Sequence, residues 1–385
     1  MGDVIIAGIG QTDVGEHWDV GLRDLALAAI EEAVRDAGGL KPEAMYVGNM
    51  LAPNLSNQAH LGALLADYAG LAGIEAATVE AAGASGGAAL RQGYLAVASG
   101  MVSIALVVGV EKFTDRIGSQ VEAAAATAGD SDFEAVQGLT PASQAAMLMK
   151  RYLHENDVPA DGFAGFALTA HANGAGNPHA MFRRPIKRDT YARAPMISEP
   201  LNQYDIAPSA DGAAAVLLAP GERMNSPTFA PVRIAGSASA VDTLAIHDRQ
   251  DALEFASCGL SAARALAQAE ASLGDIDFFE YHDSYSIYAA LALESVGFAE
   301  RGKGWKLAAD RAIALDGKVP AATMGGLKAR GFAGGATGIY QAVEATLQLQ
   351  GRAGKNQLKQ ARRGLIQSMG GPGSTVVSHV LQTAD

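Results

Sequence analysis

Two distant stretches of the chain pass through the same order of elements. Residues 21–50, GLRDLALAAIEEAVRDAGGLKPEAMYVGNM, and residues 259–285, GLSAARALAQAEASLGDIDFFEYHDSY, both read as helix, short acidic turn, strand and polar loop. The letters match weakly, but order and spacing agree. Such a repeat restricts the chain to two similar α/β units packed as layers. Leu22, Leu25, Ala26, Ala29, Ala33 and Ala37 mark one face of the first helix, which Gly38-Gly39 ends. VIIAGIG (4–10) reads as a buried strand, and VSIALVVGVEK (102–112) has the continuous apolar run of a strand covered on both faces. SADGAAAVLLAP (209–220) is a further buried element, and a second half starts near Pro231. Residues 113–200 change character and read as an insertion over the sheet, with a helix expected at 141–155. The expected division is 1–230 and 231–385.

Composition removes several classes of function. Of 385 residues, 49% are hydrophobic and 18% charged, the profile of a compact globular protein rather than a disordered one. A formal charge of −12 argues against nucleic-acid binding. The single cysteine, Cys258, rules out an intrachain disulfide and a cysteine-based metal site. His17, His60, His154, His171, His179, His247 and His379 show no metal-ligand spacing and read as structural or solvated. No apolar run approaches the roughly 20 residues of a membrane span. The opening MGDVIIAGIGQTD reads as a strand rather than a signal peptide, so the expected location is the cytoplasm.

Four glycine-rich or polar loops stand where strands should meet helices or strands. AAGASGGAAL presents Gly83 at the start of a helix expected near residue 84, whose unpaired N–H groups and positive dipole end would face whatever lies beside it. YHDSYSIY (281–288) leads from a strand into a helix, and TMGGLKARGFAGGATGIYQAVEATLQLQG (323–351) feeds another. SMGGPGSTVVSHVL (368–381) makes a tight turn before the last strand. None is a nucleotide loop: GIGQTD has Asp13 where the third glycine of a dinucleotide fingerprint belongs, and no Gly-Lys-Ser/Thr phosphate loop occurs.

These four loops, in this order, resemble those of the thiolase superfamily, specifically its sterol-carrier or lipid-transfer type, across both halves and the insertion. VEAAGASGGAALRQGYLAVASG is similar to the nucleophile loop, HDSY to the HDxF loop, GGLKARGFAGGATG to the Gly-His-Pro loop and GGPGS to the last glycine turn. The resemblance implies an α/β thiolase fold, two duplicated halves in a layered αβαβα sandwich. The family carries its nucleophilic cysteine at the position of Gly83 and commonly a histidine at that of Phe332; both are replaced here, while His282 is retained. A glycine cannot carry an acyl group, and buried Cys258 is a poor substitute.

What the resemblance leaves is electrostatic. It implies one oxyanion hole made by the N–H groups of Gly83 and Gly371, and another served by His282, whose ordinary pKa also suits a base. Tyr285, Tyr288 and Tyr340 are candidate proton donors, the first two sharing a face of a helix expected to start near Ser284. Phe332 is expected to dry the pocket. Arg183, Arg184, Lys187 and Arg188, within FRRPIKRDTYAR, are candidates for the phosphates of coenzyme A. The expectation is therefore a CoA thioester as substrate, no covalently bound cofactor and no metal. The expected reaction is retro-aldol cleavage of a β-hydroxyacyl-CoA releasing a short acyl-CoA. An acetyl-CoA acetyltransferase or 3-ketoacyl-CoA thiolase homologue with an altered site, and a non-catalytic CoA-ester-binding subunit, remain alternatives. Expected partners are a second copy of the chain and a small OB-fold, zinc-ribbon protein.

Overall fold

The computed structural model describes residues 3–223 and 229–384. The first half runs β1 (Val4–Gln11), α1 (Leu22–Asp36), β2 (Ala44–Gly48), α2 (Ala52–Leu55), α3 (Leu61–Tyr68), β3 (Glu75–Val79), α4 (Ser85–Ala98) and β4 (Ala105–Glu111). The insertion supplies α5 (Gly118–Ala126), α6 (Pro141–Glu155), α7 (Ala164–Gly174), α8 (Arg188–Ala192) and the short hairpin of β5 (Met196–Ser198) and β6 (Leu201–Asn202). After it, β7 (Gly212–Pro220) completes the first set of strands. The second set follows as β8 (Val232–Val241), α9 (Ala256–Gln268), β9 (Phe278–Glu280), α10 (Ser286–Val296), α11 (Gly304–Ala309), α12 (Thr337–Leu349), β10 (Arg363–Gly370) and β11 (Thr375–Thr383).

The duplication seen in the sequence reappears as topology. Nine strands are joined in the order β3-β2-β4-β7-β1-β8-β11-β10-β9. Reading outward from the centre, β1 lies antiparallel to β7, β7 antiparallel to β4, and β4 parallel to β2. On the other side β8 lies antiparallel to β11, β11 antiparallel to β10, and β10 parallel to β9. Among the described residues the two sets of strands pair through a short stretch of β1 with β8, Ile5 with Arg233 and Ile6 with Val232. Helices α4 and α12 pack on each other and on strands of both sets, whereas α1 covers the first set alone and α9 the second. The result is the layered αβαβα arrangement. It explains why every residue of β4 is buried: α1 lies on one face and α4 on the other.

The two central helices meet at glycines. A Cβ on Gly338 would stand 2.2 Å from the Gly87 nitrogen, so any side chain there would push the helices apart. Helix α6 begins where its sequence demands, with Thr140 and Ser143 forming a reciprocal cap and Pro141 in the first turn. Tyr285 corrects one expectation: it caps α10 in an extended conformation, so it shares no helical face with Tyr288. Among the described residues no helix is long and apolar enough to cross a membrane.

Candidate active site

The four loops converge. Gly83 lies in a 3-10 turn (Ala82–Ala84) that delivers the chain into α4. His282 follows β9, Phe332 follows a buried π-helical turn over Gly326–Arg330, and Gly371, at φ +55°, begins the turn out of β10. All four line one cavity of about 100 Å³. The turn's own hydrogen bonds run from Ala84 N–H to Ala81 O and from Ser85 N–H to Ala82 O, which leaves the Gly83 N–H outside them. Among the described residues the Gly371 N–H likewise has no backbone acceptor.

The space beside Gly83 is tightly occupied. A Cβ built there would lie 2.6 Å from the Met369 carbonyl oxygen, 3.1 Å from His282 Cε1 and 3.5 Å from His282 Nε2. A side chain at 83 would thus point at the imidazole, but the Met369 backbone has closed over its root. The His282 ring meets Phe332 edge to face at 5.7 Å.

Burial sets the state of His282. The side chain is 3% exposed, and loss of solvent, aided by the Arg330 charge, pushes its pKa down to about 3. The Met369 N–H donates to Nδ1 over a long 3.4 Å, so in the neutral ring the proton sits on Nε2, the ring nitrogen nearer Gly83. The imidazole is thus a neutral donor at working pH, not the near-neutral base its type suggested.

His171 and His379 are also held neutral by burial, each with its pKa lowered to about 4. Their unfolded forms bind a proton near pH 6.5 while the folded forms do not, so the unfolded state gains protons as pH falls. Stability is complete above about pH 6.5 and declines toward pH 4, by up to about 1.4 kcal/mol per pH unit per histidine. Urea midpoints measured at pH 7 and pH 5 check this, and His379→Gln is expected to flatten the slope.

Around this end of the cavity the walls differ. Tyr285, Ser209 and Glu122 border both the cavity and a wider outer cleft of about 1140 Å³, which makes them the junction between the two. Under the insertion the wall is made by Glu134, Leu139, Gln144 and Tyr288. The rings of Tyr285 and Tyr288 sit 4.9 Å apart, and burial raises both phenols well above their ordinary pKa, leaving them donors rather than bases. Glu134 accepts from the N–H groups of Asp130 and Ile246, which ties both of its oxygens. Glu122, on α5, has its carboxyl pKa raised by partial burial.

The remaining expected residues divide. Arg183 and Arg184 border the outer cleft, but Lys187 and Arg188 do not, and Arg188 is paired with Asp161. Tyr340 is corrected outright. It is fully buried on α12, its hydroxyl hydrogen-bonds to Thr12 at 3.1 Å, and its ring lies 4.8 Å beneath the Arg330 guanidinium, away from the cavity. Three groups were missed from the sequence: Glu122, the Glu134–Gln144 wall, and Lys328 in the cleft. Lys328, lowered to about 8 by burial, donates to the Asp205 carbonyl at 2.7 Å.

Asp283 shows why the HDSY loop is rigid. Its carboxylate accepts the Leu327 N–H at 2.7 Å, locking the loop of His282 to the π-helical turn before Phe332. Among the described residues no group of three or more His, Cys, Asp or Glu side chains could hold a metal ion.

Comparison with known proteins agrees with this geometry. The model of the thiolase N-terminal domain matches residues 4–222, and that of the thiolase C-terminal domain-like family matches 238–383. The chain is 42% identical over 382 residues to an acetyl-CoA acetyltransferase of Methanothermobacter thermautotrophicus, covering 99% of both chains. It is 27% identical to the 17-hydroxy-3-oxo-4-pregnene-20-carboxyl-CoA lyase of Mycobacterium tuberculosis, covering 89% of this chain and 91% of that one. A solved structure named Ltp2-ChsH2(DUF35) aldolase has the same fold, with a TM-score of 0.85 at 24% identity over 99% and 98% of the two chains. Fold, converging loops and full-length similarity together place this chain in the thiolase family.

Proposed function

We propose that this thiolase-family chain binds CoA thioesters and cleaves a carbon–carbon bond in a β-hydroxyacyl-CoA without forming an acyl-enzyme. The observation that carries the reading is the closed space at Gly83, where the Met369 carbonyl would lie 2.6 Å from any Cβ. A nucleophile has no room at that point, while neutral His282 and the Gly83 and Gly371 amides remain beside it.

In the proposed step the β-hydroxyl gives its proton to Glu122, the carboxylate at the cavity mouth with a raised pKa and no hydrogen bond within the chain among the described residues. The C–O bond becomes C=O, the Cα–Cβ bond breaks, and its electron pair passes to the thioester as an enolate. The His282 Nε2–H and the main-chain amides hold the oxyanion. Return of that proton from Glu122 to the enolate Cα then gives a short acyl-CoA and an aldehyde or ketone and restores the carboxylate. Arg183 and Arg184 at the outer cleft suit the phosphates of the CoA tail. The lyase named among the relatives supports this chemistry by kinship, and we assign the chain a second copy of itself and a small OB-fold, zinc-ribbon protein as partners.

The test is incubation of the chain, alone and with its candidate partner, with a β-hydroxyacyl-CoA panel and no added thiol. Release of aldehyde or ketone is the expected result. Acyl transfer, the activity in the name of the 42% identical relative, is the second reading. It predicts that Gly83→Cys restores an acyl-enzyme. On our reading Gly83→Cys instead forces Met369 to shift, costs about 1–3 kcal/mol of stability, and gives no acetylated protein with acetyl-CoA. Denaturant midpoints and intact-protein mass spectra decide between them.

A further inference from the structure

The cavity limits what acyl group can enter, a conclusion that rests on the CoA-thioester reading and sharpens it. Its volume is about 100 Å³. A protein cavity of roughly 150 Å³ accommodates benzene, so this one accommodates about four non-hydrogen atoms. That is the size of a short acyl group counted with its thioester carbonyl, and much less than a fused ring system.

Charge narrows the choice further. No lysine or arginine lines the cavity among the described residues, whereas two carboxyl side chains, Glu122 and Glu134, do. A carboxylate on the far end of an acyl chain would be stripped of water here without a counter-charge, which is strongly unfavourable. An uncharged polar group fares differently. The Tyr288 hydroxyl and the Gln144 amide face the cavity without a hydrogen-bond partner in the protein among the described residues, and can exchange hydrogen bonds with a hydroxyl or carbonyl. The wall that sets the depth comes from the insertion. Leu139 and Gln144 stand on either side of the capped start of α6, and Glu134 is held by two backbone N–H groups.

We infer that the insertion makes this site selective for short, uncharged acyl groups of about four non-hydrogen atoms, the thioester carbonyl included. Long chains and chains ending in a carboxylate are excluded, with Leu139 setting length and Gln144 the charge preference.

Equilibrium binding to the full-length chain tests this with saturated esters, which lack the β-hydroxyl and so cannot be cleaved. Titration calorimetry with butyryl-, octanoyl- and glutaryl-CoA is expected to show butyryl-CoA binding at least about tenfold more tightly than either of the others. Leu139→Ala is expected to improve octanoyl-CoA relative to butyryl-CoA by about tenfold. Gln144→Lys is expected to improve glutaryl-CoA relative to butyryl-CoA by about tenfold. Both are gains that a misfolded variant cannot produce. Equal binding of the three esters, or variants that leave the ranking unmoved, overturns the inference while the CoA reading stands. Failure of every ester to bind, with the chain folded, overturns both.

Discussion

Glu122→Gln is expected to lower kcat for the proposed carbon–carbon cleavage by about 10²–10⁴-fold with a smaller change in KM, the range spanned by loss of a general base. Elimination leads to this residue. Of the side chains on the cavity wall, His282 has Nδ1 turned to the Met369 N–H and its pKa pushed down to about 3, so it gains a proton only in strong acid. Both oxygens of Glu134 are taken by backbone N–H groups. The phenols of Tyr285 and Tyr288 are raised by burial and hold their protons. Glu122 remains, on α5 at the junction of cavity and cleft, with burial lifting its carboxyl above the usual value. A raised carboxyl pKa makes the anion the better proton acceptor. The sign of the pH dependence follows: kcat/KM falls as pH drops through that raised value, and the acidic limb disappears in the glutamine variant. A pH profile of both proteins separates this from a merely structural loss, which would lower activity and keep the limb.

His282→Ala is expected to reduce kcat by about 10²–10³-fold, the usual cost of removing one preorganised donor from an oxyanion site. Because the ring is neutral throughout the working range, the substitution is expected to leave the pH profile above pH 5 unchanged in shape. His282→Gln, which keeps an N–H donor, is expected to recover part of the loss. A His282→Ala profile that loses an ionisation near pH 6–7 would contradict the donor role and return the ring to base. Thermal midpoints must accompany both measurements, since the imidazole also anchors the Met369 amide at 3.4 Å.

The sequence disclosed the parts of the molecule that depend on local pattern. The periodic apolar face of α1, the unbroken apolar run of β4 and the capped start of α6 stand where the letters placed them, because each rests on spacing and capping within a few residues. Motif order gave the family and indicated that the loops of residues 83, 282, 332 and 371 would meet. The place of Tyr340 and the helical face shared by Tyr285 and Tyr288 differ from expectation for different reasons. Tyr340 sits on the buried side of α12 beneath Arg330, a partnership over ten residues and two turns that no local pattern announces. Tyr285 caps a helix rather than joining it, and cap positions shift easily against propensity.

Length order, layer order and the meeting of the four loops were written in the chain itself, since duplicated hydrophobic periodicities can bury their faces in few ways. The protonation state of His282, the closure of Met369 over Gly83, and the wall that α5 and α6 place across the cavity were settled only by tertiary packing. The physical reason is distance. Desolvation and steric closure depend on atoms brought together from positions far apart in the chain, such as 83 with 369 and 122 with 285, and a one-dimensional pattern carries no record of that proximity.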